Sequence, residues 1–104
     1  MMNIGIDLAK ISRFENKSDH FIKKVLTKKE LLVYNNLLEE KKAQYLASRW
    51  ASKEAIYKAN KDEHYLSYSI LNKDNGEPYV DGHEEIKISI SHDGEYVIAS
   101  ILII

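Results

Sequence analysis

Glu54 and Lys58 stand four positions apart in a stretch without glycine or proline, and Asp7 follows Ile4-Gly5-Ile6. Residues three and four apart share a helix face. Trp50, Glu54 and Lys58 would therefore line one stripe, and Arg49 and Lys53 the adjacent one. One reading is a solvated face with a Glu54–Lys58 ion pair, which would contribute little. An aspartate closing a short strand can likewise be no more than a cap for the next turn. The other reading is cation chemistry, because two protein carboxylates plus substrate phosphates are the usual way to hold Mg²⁺. Ala47, Ala51 and Ala55 would let another backbone approach closely, which favours burial of this stretch, and Gly5 would permit close approach beside Asp7. Ser91-His92 comes at a strand end before Asp93-Gly94, where a histidine is either a turn residue or a ligand contact. His20, His64 and His83 show no partner pattern, and the chain has no HExxH, phosphate-loop or dinucleotide glycine motif.

The elements that would position these residues can be read from periodicity. Asn3 to Leu8 is a short apolar strand with Asp7 at its end. Ser18 can cap a short helix through Lys24. Thr27 and Glu30 have capping-box spacing, in which each side chain satisfies the other's backbone amide, so a helix over 28–38 follows. Lys41 to about Lys61 holds five alanines and many other helix formers, and should be the longest helix. From Tyr68 the period changes to two. Tyr68 to Leu71, Asn75-Gly76 and Tyr79-Val80 predict a hairpin with Pro78 at an edge. Ile86, Ile88 and Ile90 alternate with polar residues as a half-buried strand, and Val97 to Ile104 should be a buried terminal strand. One strand, then helices including one long central helix, then an antiparallel β region is an α+β order.

A chain of 104 residues is one domain, 1–104, with an adequate but thin core that partner subunits would help. Charged residues at 30% and hydrophobic ones at 44% exclude disorder. A net charge of -1 gives no general attraction to nucleic acid or membrane, although Lys23, Lys24, Lys28 and Lys29 make a local basic patch. With no cysteine there is no disulfide framework, thiol nucleophile or cysteine zinc site, which fits a cytoplasmic protein. Neither a signal peptide nor an apolar run of about 20 residues is expected.

Taken in order, the motifs resemble those of the holo-acyl-carrier-protein synthases, the small phosphopantetheinyl transferases. The matching residues are Gly5-Ile6-Asp7 with Ile11 and Arg13, then Phe21 and Val25-Leu26-Thr27 to Glu30. Arg49-Trp50-Ala51-Ser52-Lys53-Glu54-Ala55 with Lys58-Ala59 follows, then Gly76-Glu77-Pro78 and Ile88-Ser89-Ile90-Ser91-His92 with Tyr96 and Ala99. Each motif alone is weak; the ordered set spans nearly the whole chain. The resemblance implies transfer of 4'-phosphopantetheine from coenzyme A to a serine of acyl carrier protein, as in fatty acid biosynthesis, with release of adenosine 3',5'-bisphosphate. It implies that Asp7 and Glu54 hold Mg²⁺ with the pyrophosphate, and that Lys58 stabilises the developing charge. Lys41, Arg49 and His92 would lie near the 3'-phosphate, and Arg13, His20 and Lys24 would receive the carrier's acidic helix. A homotrimer with active sites shared between neighbours is also implied. Where such enzymes have a glycine-rich loop after Lys-Ala, this chain has Asn60-Lys61-Asp62-Glu63. The alternative function on the same scaffold is a non-catalytic module that binds an acidic partner.

Overall fold

The computed structural model describes residues 2–104. Strand β1 (Asn3–Lys10) runs into a 3-10 turn over Ile11–Phe14, followed by helices α1 (Asp19–Val25), α2 (Lys28–Asn35) and α3 (Glu39–Asn60). A second 3-10 turn, Tyr65–Ser67, leads to β2 (Ile70–Asn72), β3 (Pro78–Val80), β4 (Ile86–Asp93) and β5 (Tyr96–Ile103). The α+β order is as expected. The main sheet is antiparallel with order β1-β5-β4, and β2 and β3 form a separate antiparallel hairpin. Its turn contains Asn75-Gly76, with Gly76 at φ 92°, a backbone shape that favours glycine.

Period-two alternation gives the sheet one covered face. Ala9, Val97, Ala99 and Ile101 pack against Leu46, Ala47, Ala51, Ala55 and Ile56 of α3 to make the centre of the core. Strand β1 extends beyond the expected end at Leu8 because β5 pairs with it as far as Lys10 opposite Tyr96. Asp7 consequently lies inside the strand, opposite Ala99, and is not a terminal cap. The last strand, β5, is the middle strand and is covered on one face only, so it is not the buried strand its composition suggested. Helix α2 stops at Asn35, short of Leu38, as the Asn36 side-chain amide donates to the Leu32 carbonyl at 2.8 Å and closes the last turn.

The helices are tied together by polar groups. Thr27 and Glu30 form the expected capping box, with the Thr27 amide donating to Glu30 Oε1 at 2.9 Å and the Glu30 amide donating to Thr27 Oγ1 at 3.2 Å. Glu30 also accepts from the Ile70 amide at 2.8 Å and from Lys53, whose ammonium reaches the Val25 carbonyl as well. Both side chains are 0% exposed. Lys53 is thus not part of a solvated stripe: it faces inward, where one carboxylate and one carbonyl satisfy its charge. The pair joins the end of α1, the start of α2, the middle of α3 and β2.

Candidate active site

Close approach of β1 to α3 creates the first cluster. A Cβ on Gly5 would stand 1.9 Å from the Ala55 carbonyl oxygen, so only glycine lets the strand lie this near the helix. Asp7, two residues on, faces the same helix. Lys58 Nζ donates to Asp7 Oδ1 at 3.2 Å and to the Ile6 carbonyl at 2.9 Å. The Lys58 partner is therefore Asp7, across the strand–helix contact, and not Glu54 one turn back. Burial pushes the Asp7 carboxyl up, and the nearby Glu54 charge adds to this; Lys58 and more weakly Arg13 oppose it, and the net direction is upward. Asp7, Glu54 and Lys58 thus come together as the spacing suggested.

A residue the spacing did not reveal joins them. The Tyr65 phenol is pushed up by burial and by the Glu54 and Asp7 charges, and its ring meets Trp50 edge-on, 5.5 Å between centroids at 89°. Side chains hold the loop that Asn60-Lys61-Asp62-Glu63 begins. Lys61 ends α3 at φ 65°. Asp62 accepts from Tyr68 Oη at 2.6 Å and the His64 amide at 2.9 Å, and Asn60 Oδ1 accepts from the Asp62 amide at 2.8 Å. The Tyr68 hydroxyl, followed by the His64 contacts, holds the Asp62 carboxyl down at about 2.

A second cluster lines a cleft of about 470 Å³ that includes Lys41, Ser48, Arg49, Asn72, Gly76 and His92. Arg49 is buried, and its Nε donates to the Ile70 carbonyl at 3.0 Å, one terminal nitrogen to Ser48 Oγ at 3.0 Å and the other to Asn72 Oδ1 at 2.6 Å. It also stacks over the Tyr45 ring, 4.1 Å from the centroid. Burial lowers the Arg49 pKa and drives the Tyr45 phenol up to about 12. The hydrogen-bond partners of Arg49 are all neutral, so its charge is uncompensated by direct contact. Asn72, Ser48 and Tyr45 were invisible as site residues because their part depends on the fold of the hairpin against α3.

The two clusters do not merge within one chain. Glu54 lies five positions beyond Arg49, which turns the helix by roughly 140° and advances it about 7.5 Å. None of Asp7, Glu54 and Lys58 lines the cleft. Among the described residues no three histidine or acidic side chains gather as a metal cluster. Two carboxylates, however, are enough for an ion that also takes phosphate and water oxygens. Lys24 lines a separate groove with Phe21, Trp50 and Tyr65, next to the carboxylates. Phe21 stacks on Trp50 at 5.8 Å. Arg13 lies over Phe14 in the 3-10 turn, and His20 is exposed on α1, four residues before Lys24.

The chain and its fold are similar to those of known proteins. Residues 3–101 match the model of the 4'-phosphopantetheinyl transferase superfamily. The chain is 44% identical over 101 residues to the holo-[acyl-carrier-protein] synthase of Mycoplasmopsis pulmonis (strain UAB CTIP), covering 95% of this chain and 87% of the relative. It is 40% identical over 99 residues to that of Mycoplasma mobile, covering 95% and 86%. A crystal structure of the holo-(acyl-carrier-protein) synthase from Bacillus anthracis str. Ames in complex with CoA (3',5'-ADP) superposes with a TM-score of 0.87 at 31% identity, covering 99% of this chain and 97% of that one. Match, relatives and fold coincide over nearly the full length, and the chain belongs to the 4'-phosphopantetheinyl transferase superfamily.

Proposed function

We propose that this chain is a holo-acyl-carrier-protein synthase that transfers 4'-phosphopantetheine from coenzyme A to a serine of acyl carrier protein. The observation that carries the reading is the meeting of Asp7, Glu54 and Lys58 at the β1–α3 contact in a member of this family. The donor set fits Mg²⁺: two partly buried carboxylates and one lysine leave an excess negative charge that a hard cation with substrate oxygens would satisfy. Asp7 and Glu54 would hold the ion. When bound, it neutralises the pyrophosphate and draws charge from the bridging oxygen.

The carrier serine oxygen forms a bond to the β-phosphorus and gives up its proton to solvent, while the bond from that phosphorus to the bridging oxygen breaks. Adenosine 3',5'-bisphosphate leaves with the bonding electrons. Lys58, one N–H committed to Asp7 and one to the Ile6 carbonyl, has a third to offer the oxygen where charge builds. Lys41, Arg49 and His92 would receive the 3'-phosphate in the cleft, Arg49 through the N–H groups its neutral partners leave uncommitted. Arg13, His20 and Lys24 would meet the acidic surface of the carrier, a contact that speeds encounter and weakens with salt.

The separation of the two clusters around α3, with the open apolar face of the sheet, supports a homotrimer in which neighbouring copies complete each site. No helix among the described residues is long and apolar enough to cross a membrane. A cytoplasmic location belongs to the same reading, since coenzyme A is an intracellular substrate. Incubation of apo carrier with coenzyme A and Mg²⁺, followed by intact mass, should show addition of one phosphopantetheine group. Glu54→Ala and a metal chelator should each abolish it, and Lys58→Ala should reduce the rate by about 10²- to 10³-fold. Binding of carrier without transfer, indifferent to Glu54→Ala, would instead support a non-catalytic module.

A further inference from the structure

The β2–β3 hairpin contributes one side chain to the cleft whose bonding is fully directional. Asn72 Oδ1 accepts from Arg49 at 2.6 Å, and Asn72 Nδ2 donates to the Gly76 carbonyl at 2.9 Å. Arginine only donates and a carbonyl only accepts, so the amide can take one orientation and no other. Gly76 lies in the hairpin turn, where its own amide donates to the Lys73 carbonyl at 2.8 Å, and it lines the cleft itself. Asn72 thus couples the turn to the guanidinium.

The other Arg49 anchors come from elsewhere. Nε is held by the Ile70 carbonyl, and the Ser48 hydroxyl accepts from Arg49 while donating to the Tyr45 carbonyl at 2.6 Å. A guanidinium has five N–H groups. These three bonds leave one on each terminal nitrogen for a ligand. Without Asn72, the second terminal nitrogen would lose its fixed partner, and the guanidinium would be held only by the Ile70 carbonyl, the Ser48 hydroxyl and the Tyr45 ring.

We propose that Asn72 is a positioning residue that orients Arg49 for an anionic group and makes the β2–β3 hairpin the specificity wall of the cleft. The proposal rests on the reading of the cleft as the place of the coenzyme A 3'-phosphate. Its consequence is selective. Asn72→Ala removes the orienting acceptor, and Asn72→Asp keeps an acceptor but closes an ion pair that consumes the Arg49 charge. Each lowers the preference for coenzyme A over dephospho-coenzyme A, which differ by that one phosphate.

The test is the ratio of kcat/KM for coenzyme A to kcat/KM for dephospho-coenzyme A, with apo carrier and Mg²⁺, in the wild type, Asn72→Ala, Asn72→Asp and Arg49→Lys. Asn72→Ala should lower the ratio about 5- to 10-fold, through KM for coenzyme A and not kcat, as expected for the loss of one oriented hydrogen bond. Asn72→Asp, nearly the same shape, should lower it further and also serves if the alanine variant does not fold. An equal loss on both substrates, or an unchanged ratio in a folded Asn72 variant, overturns the positioning role. If Arg49→Lys leaves the ratio untouched, the reading of the cleft itself fails, and this inference with it. If Arg49→Lys collapses the ratio while both Asn72 variants keep it, only the inference fails.

Discussion

Asp7 carries its charge at a cost. Its folded pKa lies above the ordinary 3.8, chiefly through burial. A raised carboxyl contributes stability that is fully present below the unfolded pKa and is lost as pH rises through the folded one. In metal-free buffer at neutral pH the ionised Asp7 therefore works against folding, despite Lys58. Asp7→Asn should raise the urea midpoint at pH 7, and the difference from wild type should vanish at pH values below about 3.8, where both side chains are neutral. A lower midpoint for Asp7→Asn at pH 7 would mean that the Lys58 bond outweighs burial. Transfer should be lost in the same variant, the usual exchange of stability for a functional charge. At this scale the sequence was informative about which residues meet and silent about how: Lys58 bonds Asp7, 51 positions away, where helix spacing pointed to Glu54. Tyr65 and Asn72 were illegible because a phenol or an amide acquires a role only from the side chains the fold places against it.

Two contacts between elements set where these residues stand, and each can be broken by one substitution. Gly5→Ala would put a methyl group into the Ala55 carbonyl, so β1 must move off α3. The expected loss is about 1–3 kcal/mol or more, typical of overpacking, with a disproportionate loss of kcat as Asp7 leaves Glu54. Parallel urea titration and single-turnover kinetics would separate the two effects. Glu30–Lys53 is the other contact. Lys53→Met strands Glu30 in the core and should cost about 3–5 kcal/mol by urea unfolding, whereas Lys53→Met with Glu30→Gln should recover part of it. Simple additivity of the two losses would show that the residues are not coupled. Thr27 and Glu30 announced α2 through their spacing, since a capping box is local. The clamp on Lys53 was not legible, as the lysine lies 23 positions away and looks solvent-bound in a helix full of charges. The hairpin turn at Asn75-Gly76 was equally readable from local chemistry. Strand ends were not: β1 reaches Lys10 only because β5 is there to pair with it.

On the outer face of the whole molecule, Ile4, Ile6 and Leu8 of β1 are 75%, 55% and 59% exposed. The register places Ile98 and Leu102 of β5 opposite Leu8 and Ile4 on that same face. The nearly unbroken apolar run had suggested burial for β5, and it is buried on one side by α3; no element among the described residues covers the other side. A monomer seldom leaves so continuous an apolar surface in water, and a chain of 104 residues has little core to spare. In the proposed trimer, copies would associate through this surface, on the face of the sheet opposite Asp7 and His92. Ile6 is at the centre of the β1 row and points away from Gly5, Asp7 and the helix. Ile6→Lys should therefore leave the monomer fold intact by circular dichroism while shifting the sedimentation mass from trimer to monomer. Transfer should fall with it, because Asp7, Glu54 and Lys58 would then face solvent in place of a neighbour's Lys41, Arg49 and His92. A variant that sediments as a monomer and keeps full activity would place the whole site within one chain and count against sharing. A wild type that is itself monomeric at micromolar concentration would remove the trimer from the proposal.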